Sequence, residues 1–219
     1  MSKHTLTLLR FTYKKLKEKL TVSDSKKLFY EQFPYVIPGL YKRIVDEMLV
    51  ELNLLNHQNE FKQDFLFCIG LTETFKDLMK GYKPEKHLDL LFESLCSSTN
   101  FEGKEIKEIA QISQKEFEDQ SSTEDILKLL QEKSSSKLYP SRTLNLGLYI
   151  LILKSLDLKG KNESETKDIL SNIFENLKLS FNKAEKDIGI YKSTLSKMQQ
   201  AKELIEELRL KDNKKEQKK

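Results

Sequence analysis

The composition of this 219-residue chain favours long helices, because only seven Gly and four Pro are present and 33% of the residues are charged. Its net charge of +4 is unevenly distributed. Residues 1–20 hold six Lys or Arg and one Glu, a net charge of +5, and residues 211–219 hold five Lys and two acids, a net charge of +3. Residues 21–210 therefore carry a net charge of −4. A mildly acidic body with basic ends is atypical of nucleic-acid-binding proteins, which usually carry a basic stripe on a folded face.

The first predicted element is a basic amphipathic segment within residues 5–20, part of a basic N-terminal extension over residues 1–20. Leu9, Tyr13 and Leu16 recur at helical spacing, and lysines surround them. This pattern fits a membrane-surface helix, but it also fits an additional basic helix or a frayed terminus. The lysines interrupt the apolar core that a secretory signal requires. The longest apolar run, Leu146–Leu153, is far shorter than the ~20 residues of a membrane-spanning helix. The sequence therefore predicts a protein that is soluble or at most peripheral to a membrane.

The strongest helical pattern lies between Pro38 and Gln58. Its apolar residues recur at spacings of three and four: Leu40, Tyr41, Ile44, Val45, Met48, Leu49, Leu52 and Leu55. That spacing is typical of an amphipathic helix with a broad buried face, and Pro38 suits its first turn. Because such a helix is not stable alone in water, we expect other helices to cover it and expect Leu49 and Leu52 to be core positions.

Capping and breaking residues predict five further helices before residue 135. Ser, Thr and Asp act as N-caps, Gly81 as a left-handed C-cap, and Pro84 as a first-turn residue. The predicted bounds are Ser23 or Asp24 to Phe33, Asp64 to Gly81, Pro84 to Ser97, Gly103 to Glu118, and Thr123 to about Glu132. The serines at 134–136 indicate an internal loop.

The C-terminal half contains three more predicted helices. Ser141 caps a segment over Leu144–Leu156 that is apolar on all sides, a pattern shared by buried helices and buried strands. We expect a helix, because the chain offers no second strand to pair with it, and we expect it to pack centrally against Tyr41–Asn56. Asn162–Leu179 is a further amphipathic segment.

The last predicted helix is long, covering residues 181–210. Phe181, Ala184, Ile188, Tyr191, Leu195 and Met198 form a heptad seam. About 28 helical residues reach about 42 Å, so the final part should project or pair with the preceding helix. The Lys-rich residues 211–219 are predicted to be a disordered tail. The sequence therefore predicts an all-α fold, in which residues 21–180 form a single helical bundle and residues 181–210 form a long, partly coiled-coil-like C-terminal helix.

The titratable residues do not form a recognisable catalytic pattern. A di-metal carboxylate site in a helical bundle uses Glu-x-x-His pairs, and no Glu precedes His4, His57 or His87 by three residues. We expect His57, in a polar loop, and His87, in a charged first turn, to be solvated and not to act as ligands. Glu47 and Glu51 are predicted to form surface ion pairs with the neighbouring cations at positions 42 and 43.

The two cysteines, Cys68 and Cys96, lie in apolar segments without close spacing and are predicted to be buried free thiols. Phosphate-loop and dinucleotide-binding patterns are missing as well. The sequence therefore predicts no catalytic, cofactor-binding or metal-binding residues, no cofactor, and no enzymatic activity.

Three stretches resemble the thylakoid formation protein family of cyanobacteria and plastids, also described as an auxiliary protein of photosystem II biogenesis. They are TVSDSKKLFYEQFP at Thr21–Pro34, YKRIVDEMLVELNLLN at Tyr41–Asn56 and LMKGYKPE at Leu78–Glu85. The resemblance is strong over Thr21–Cys96 and looser to about residue 210. It implies an all-helical protein without assigned active-site residues, a role in thylakoid organisation and photosystem II assembly and repair, and partnership with a membrane-anchored FtsH-type protease.

These observations lead us to expect a non-catalytic auxiliary factor, cytoplasmic and peripherally associated with the thylakoid membrane of a cyanobacterium. Its expected partners are an FtsH-type protease and photosystem II components, and not nucleic acid. The basic ends are expected to hold the acidic body beside anionic lipid, while the long C-terminal helix meets a protein partner. The alternative is a cytosolic helical adaptor or nucleic-acid-associated protein unrelated to photosynthesis.

Overall fold

The computed structural model describes residues 19–118, 120, 122–134, 137–156 and 162–216. Within them the secondary structure is helical, and the all-α prediction is confirmed. The α-helices are α1 (Val22–Gln32), α2 (Gly39–Asn56), α3 (Phe65–Leu78), α4 (Leu88–Ser97), α5 (Gly103–Glu118), α6 (Thr123–Lys133), α7 (Arg142–Ser155), α8 (Glu163–Asn176) and α9 (Phe181–Glu216). A short 3₁₀ helix, Glu85–His87, precedes α4.

Side-chain N-caps fix several of these starts as predicted. The Asp64 carboxylate accepts from the Phe67 N–H at 2.8 Å, and the Ser141 hydroxyl accepts from the Leu144 N–H at 3.1 Å. The predicted start of α1 was wrong, because Thr21 is the cap. Its hydroxyl accepts from the Asp24 N–H at 3.2 Å, while the Asp24 carboxylate accepts from the Thr21 N–H at 3.0 Å.

The two proline starts also differ from the prediction. Pro38 is the residue before α2 and does not lie in its first turn. Pro84 precedes the 3₁₀ helix, so α4 itself begins at Leu88. Gly81 has the expected positive φ of 84°, but α3 already ends at Leu78, so this glycine shapes the connection that follows the helix.

The centre of the bundle is the crossing of α3 and α7, the most extensive helix pair in the described chain. The two backbones touch at a pair of glycines: a Cβ atom on Gly70 would lie 1.9 Å from the Thr143 carbonyl oxygen, and one on Gly147 would lie 1.9 Å from the Leu66 carbonyl oxygen. The predicted helix at Leu144–Leu156 is therefore central, as expected. Its main partner is α3, however, and not the Tyr41–Asn56 helix as predicted. That helix meets α7 at the first turn of α7, where Glu51 accepts hydrogen bonds from Thr143.

Helix α2 buries the face that its spacing predicts. Leu49 and Leu52 are 0% and 1% exposed, and both belong to the main hydrophobic core. The opposite face of α2 is turned to solvent and carries Lys42, Arg43 and Glu47. One helix thus contributes both to the core and to the outer surface.

Helix α9 is longer than predicted and packs on α7 and α8. The seam residues Phe181, Ala184, Ile188, Tyr191 and Met198 are buried within the bundle. The helix continues to Glu216, so residues 211–216 belong to it and not to a disordered tail; residues 217–219 lie outside the described residues. In the described part of the chain, no helix combines the length and the apolarity that crossing a membrane requires.

The cap of α3 makes stability depend on pH. Burial raises the pKa of the Asp64 carboxyl to about 6, although two backbone N–H groups donate to it. The folded state therefore holds this proton more tightly than the unfolded state, and the contribution to stability is present below pH 4 and is lost as pH rises through 6. Asp64→Asn keeps a capping oxygen without the charge. We expect it to raise the free energy of unfolding at pH 7 by about 2–3 kcal/mol.

Urea denaturation of the parent and of Asp64→Asn across this pH range measures the effect. Asp24→Asn is the control, because hydrogen bonds from Thr21 hold the pKa of Asp24 below its usual value and predict a change of opposite sign. Lower stability of Asp64→Asn than of the parent at neutral pH would show that the ionised cap is stabilising.

Candidate interaction surfaces

An open groove lies along the solvent-facing side of α2, between this helix and the segment Tyr139–Arg142. We call it the α2 groove. Its volume is about 910 Å³. Val50, Leu54 and Leu55 contribute its apolar surface, together with the Tyr139–Arg142 segment. Leu54 is 53% exposed, so this apolar surface is accessible to another molecule.

Two ion pairs lie along the α2 groove. Lys26 and Asp46 are 3.2 Å apart, and Arg43 and Glu47 are 2.8 Å apart. The second pair confirms the predicted ion pairing of Glu47. Both pairs are partly exposed and contribute little to stability, but each neutralises a cation of the groove.

Glu51 has a different role from the predicted surface ion pair. Its carboxylate accepts from the Thr143 N–H at 3.1 Å and from the Thr143 hydroxyl at 2.6 Å. It therefore satisfies backbone at the first turn of α7, where a negative charge is favourable. The groove cations Lys42 and Arg142 form no ion pair among the described residues.

The α2 groove thus combines an apolar floor with a net charge of +1, because its four cations accompany three acids, Asp46, Glu47 and Glu51. An amphipathic segment that carries carboxylates beside its apolar residues would complement both features. The 18 residues of α2 span about 27 Å, enough for a docked helix of several turns. This arrangement suits recognition of a protein partner.

The histidines do not contribute to the groove chemistry. His57 Nδ1 lies 2.7 Å from the Asn53 carbonyl oxygen, and the His87 ring stacks on Tyr35 with 3.8 Å between ring centroids. Each is half-buried against the chain, so neither ring is fully solvated. That neither histidine is a ligand remains a prediction. His4 lies outside the described residues.

The cysteines are buried and free, as predicted. Burial raises the pKa of Cys68 to about 12 and raises the pKa of Cys96 as well. Both thiols stay protonated at neutral pH and are poor nucleophiles. Among the described residues, no group of His, Cys, Asp and Glu is arranged to hold a metal ion. That the chain has no catalytic, cofactor or metal site remains a prediction.

A second apolar surface lies on the C-terminal part of α9. Leu204, Ile205 and Leu208 are 57%, 43% and 51% exposed, beyond the last buried seam residue, Met198. The seam itself is satisfied within the bundle, so its heptad spacing is explained by intramolecular packing. Coiled-coil pairing of α9 with another chain remains a prediction.

Sequence reasoning missed the α2 groove, because nothing in the sequence places Tyr139–Arg142 beside α2. One signal was available. Leu54 lies off the apolar stripe of α2, and a leucine on the charged face of an amphipathic helix suggests a contact outside the helix's own core.

Comparisons with known proteins assign almost the whole chain to one family. Residues 21–219 match the thylakoid formation protein family. Protein Thf1 of Prochlorococcus marinus strain MIT 9312 is 78% identical over 200 residues, covering 91% of this chain and 99% of the relative. Protein Thf1 of P. marinus subsp. pastoris strain MED4 is 66% identical over 203 residues, covering 93% and 100%.

A solved structure extends this agreement to the fold. The structure described as Psb29 at 1.55 Å superposes with a TM-score of 0.76 at 30% identity, covering 90% of this chain and 98% of that chain. The resemblance of the three sequence stretches is thereby confirmed, and the chain belongs to the thylakoid formation protein family.

Proposed function

We propose that this protein is a non-catalytic auxiliary factor of photosystem II assembly and repair that acts by binding other proteins. The observation that carries the proposal is the match of residues 21–219 to a family implicated in thylakoid formation and photosystem II biogenesis. The family description names a process and not a reaction. The comparisons give no support to an adaptor or nucleic-acid-associated protein unrelated to photosynthesis.

The proposed partners are a membrane-anchored FtsH-type protease and photosystem II components. Both groups of protein are embedded in the thylakoid membrane, so the proposal places this chain on the cytoplasmic side as a peripheral component. The α2 groove supports the proposal, because an accessible apolar floor beside unpaired cations is the kind of surface that recognises an acidic amphipathic segment. The exposed apolar residues at the end of α9 supply a second surface for the same assembly.

Affinity capture from solubilised photosynthetic membranes tests the proposal. We expect the full chain to enrich FtsH-type protease subunits or photosystem II subunits. We expect Leu54→Glu combined with Arg142→Glu to lower that enrichment about tenfold or more, because the change adds charge to an interface core and reverses one of its cations.

Ile112→Glu is the matched control, because Ile112 is 52% exposed, almost as much as Leu54, and lies on α5 away from the groove. If the groove variant and the control capture equally well, the partner binds a surface other than the α2 groove. No enrichment of either class of protein by the full chain would contradict the proposed function itself.

A further inference from the structure

The connection between α1 and α2 carries a projecting apolar tip. We call residues Pro34–Pro38 the proline loop. Val36 is 92% exposed and Tyr35 is 44% exposed. Tyr30 of α1, 40% exposed, lines the same shallow depression as these two residues. Three of the large exposed apolar side chains of the described chain are therefore gathered at one point of the surface.

The proline loop is anchored on both sides of this tip. Phe33 and Ile37 are 1% and 7% exposed and belong to the core. The Tyr35 ring stacks on His87 at 3.8 Å between centroids. The two prolines restrict the backbone further. The fold thus holds Val36 outward. Because the loop is already ordered, burying it against another surface costs little further conformational entropy.

Lysine side chains accompany the apolar tip. Lys42, in the first turn of α2, lines the same depression as Tyr35 and Val36. Lys86 precedes the histidine on which Tyr35 stacks, and it forms no ion pair among the described residues. The nearby acid Glu85 is neutralised by Lys83. Asp46, whose charge reaches Tyr30, is paired with Lys26 at 3.2 Å. Lys42 is the one charged residue among the described residues that line the depression, so the depression carries a positive charge.

We propose that the proline loop binds a bilayer surface that contains anionic lipids. Val36 enters the boundary between headgroups and acyl chains, the two tyrosines lie at headgroup level, and Lys42 and Lys86 lie beside the lipid phosphates. Val36 is 92% exposed, so a protein partner would need a pocket of its own to enclose this side chain, whereas a bilayer accommodates an exposed apolar side chain directly. The inference rests on the proposed function, because it identifies the surface by which a peripheral factor meets its membrane.

The absence of Trp from the sequence provides a direct probe. We expect the full chain with Val36→Trp to show a blue-shifted emission and strong quenching by brominated lipid with vesicles containing phosphatidylglycerol. Vesicles of phosphatidylcholine alone should give neither effect. Ile112→Trp, at a 52% exposed site on α5, should report water with both kinds of vesicle.

The charge requirement is tested by sedimentation with the phosphatidylglycerol vesicles. Lys42→Glu and Lys86→Glu should each weaken binding about fivefold or more, because each removes a cation from the anionic surface. Lys128→Glu, an exposed lysine on α6, controls for the change in net charge. If all three variants lose the same amount of vesicle binding, the effect comes from the net charge of the protein and not from the tip, and the proposal is overturned.

Two further outcomes overturn it. The first is emission of Val36→Trp that remains water-like while the full chain sediments with the vesicles, because the contact then lies elsewhere, for example in the basic residues 1–20. The second is a loss of protein capture by Val36→Asp with unchanged vesicle binding, which would make the loop a protein contact. Neither outcome contradicts the proposed function, which is tested by capture through the α2 groove.

Discussion

Replacing Gly70 with Ala is expected to lower the free energy of unfolding by at least about 3 kcal/mol, at the upper end of overpacking effects. The added methyl group would lie 1.9 Å from the Thr143 carbonyl oxygen, and its other near neighbours are also backbone atoms. Backbone cannot rotate aside as a side chain can, so α3 and α7 must separate along the most extensive interface of the bundle.

Gly189→Ala is the matched control for this prediction. Gly189 lies within α9, and a Cβ atom there meets nothing within 4 Å. Because Ala has the higher helix propensity, this change should stabilise the protein by about 0.5–1 kcal/mol. Urea denaturation followed by circular dichroism measures both variants. A loss below about 1 kcal/mol for Gly70→Ala would mean that the two helices do not cross at this glycine.

Leu49→Ala is expected to lower the free energy of unfolding by about 2–5 kcal/mol, because it leaves a cavity beneath α2. Leu49 is 0% exposed and lies in the main core. Leu54→Ala, on the other side of the same helix, should change the free energy by less than about 1 kcal/mol, because Leu54 is 53% exposed. Similar losses for the two variants in urea denaturation would show that the buried face of α2 has been assigned wrongly.

Local features of the fold were predictable from the sequence. The stripe containing Leu49 and Leu52 identifies the buried face of α2, because helical period and burial follow from the same residues. Asp64 and Ser141 mark helix starts by side-chain capping, which acts within four residues. The three stretches between Thr21 and Glu85 carry the family resemblance that the comparisons confirm.

The long-range pairing was not predictable in the same way. Gly70 and Gly147 each look like a weak point of a helix, and they make physical sense only as a pair that allows two backbones to touch. Their separation along the chain hides that relation. The sequence therefore indicated a buried helix at Leu144–Leu156 but assigned it α2 as its partner in place of α3.

The candidate interaction surface was hidden for a related reason. The α2 groove forms where the Tyr139–Arg142 segment returns to the outer face of α2, and only the tertiary structure brings the two together. The sequence instead directed attention to the basic ends and to the heptad seam of α9. Residues 1–18 lie outside the described residues, and the seam packs inside the bundle as far as Met198.

The central claim, that the chain supports photosystem II by protein contact through the α2 groove, is tested most directly by complementation. In a cyanobacterial strain that lacks its own family member, recovery of photosystem II activity after light damage would be measured with this chain, with Leu54→Glu/Arg142→Glu and with Ile112→Glu, at equal protein levels. We expect the parent chain and Ile112→Glu to restore recovery and the groove variant to fail. Full recovery with the groove variant would contradict the account.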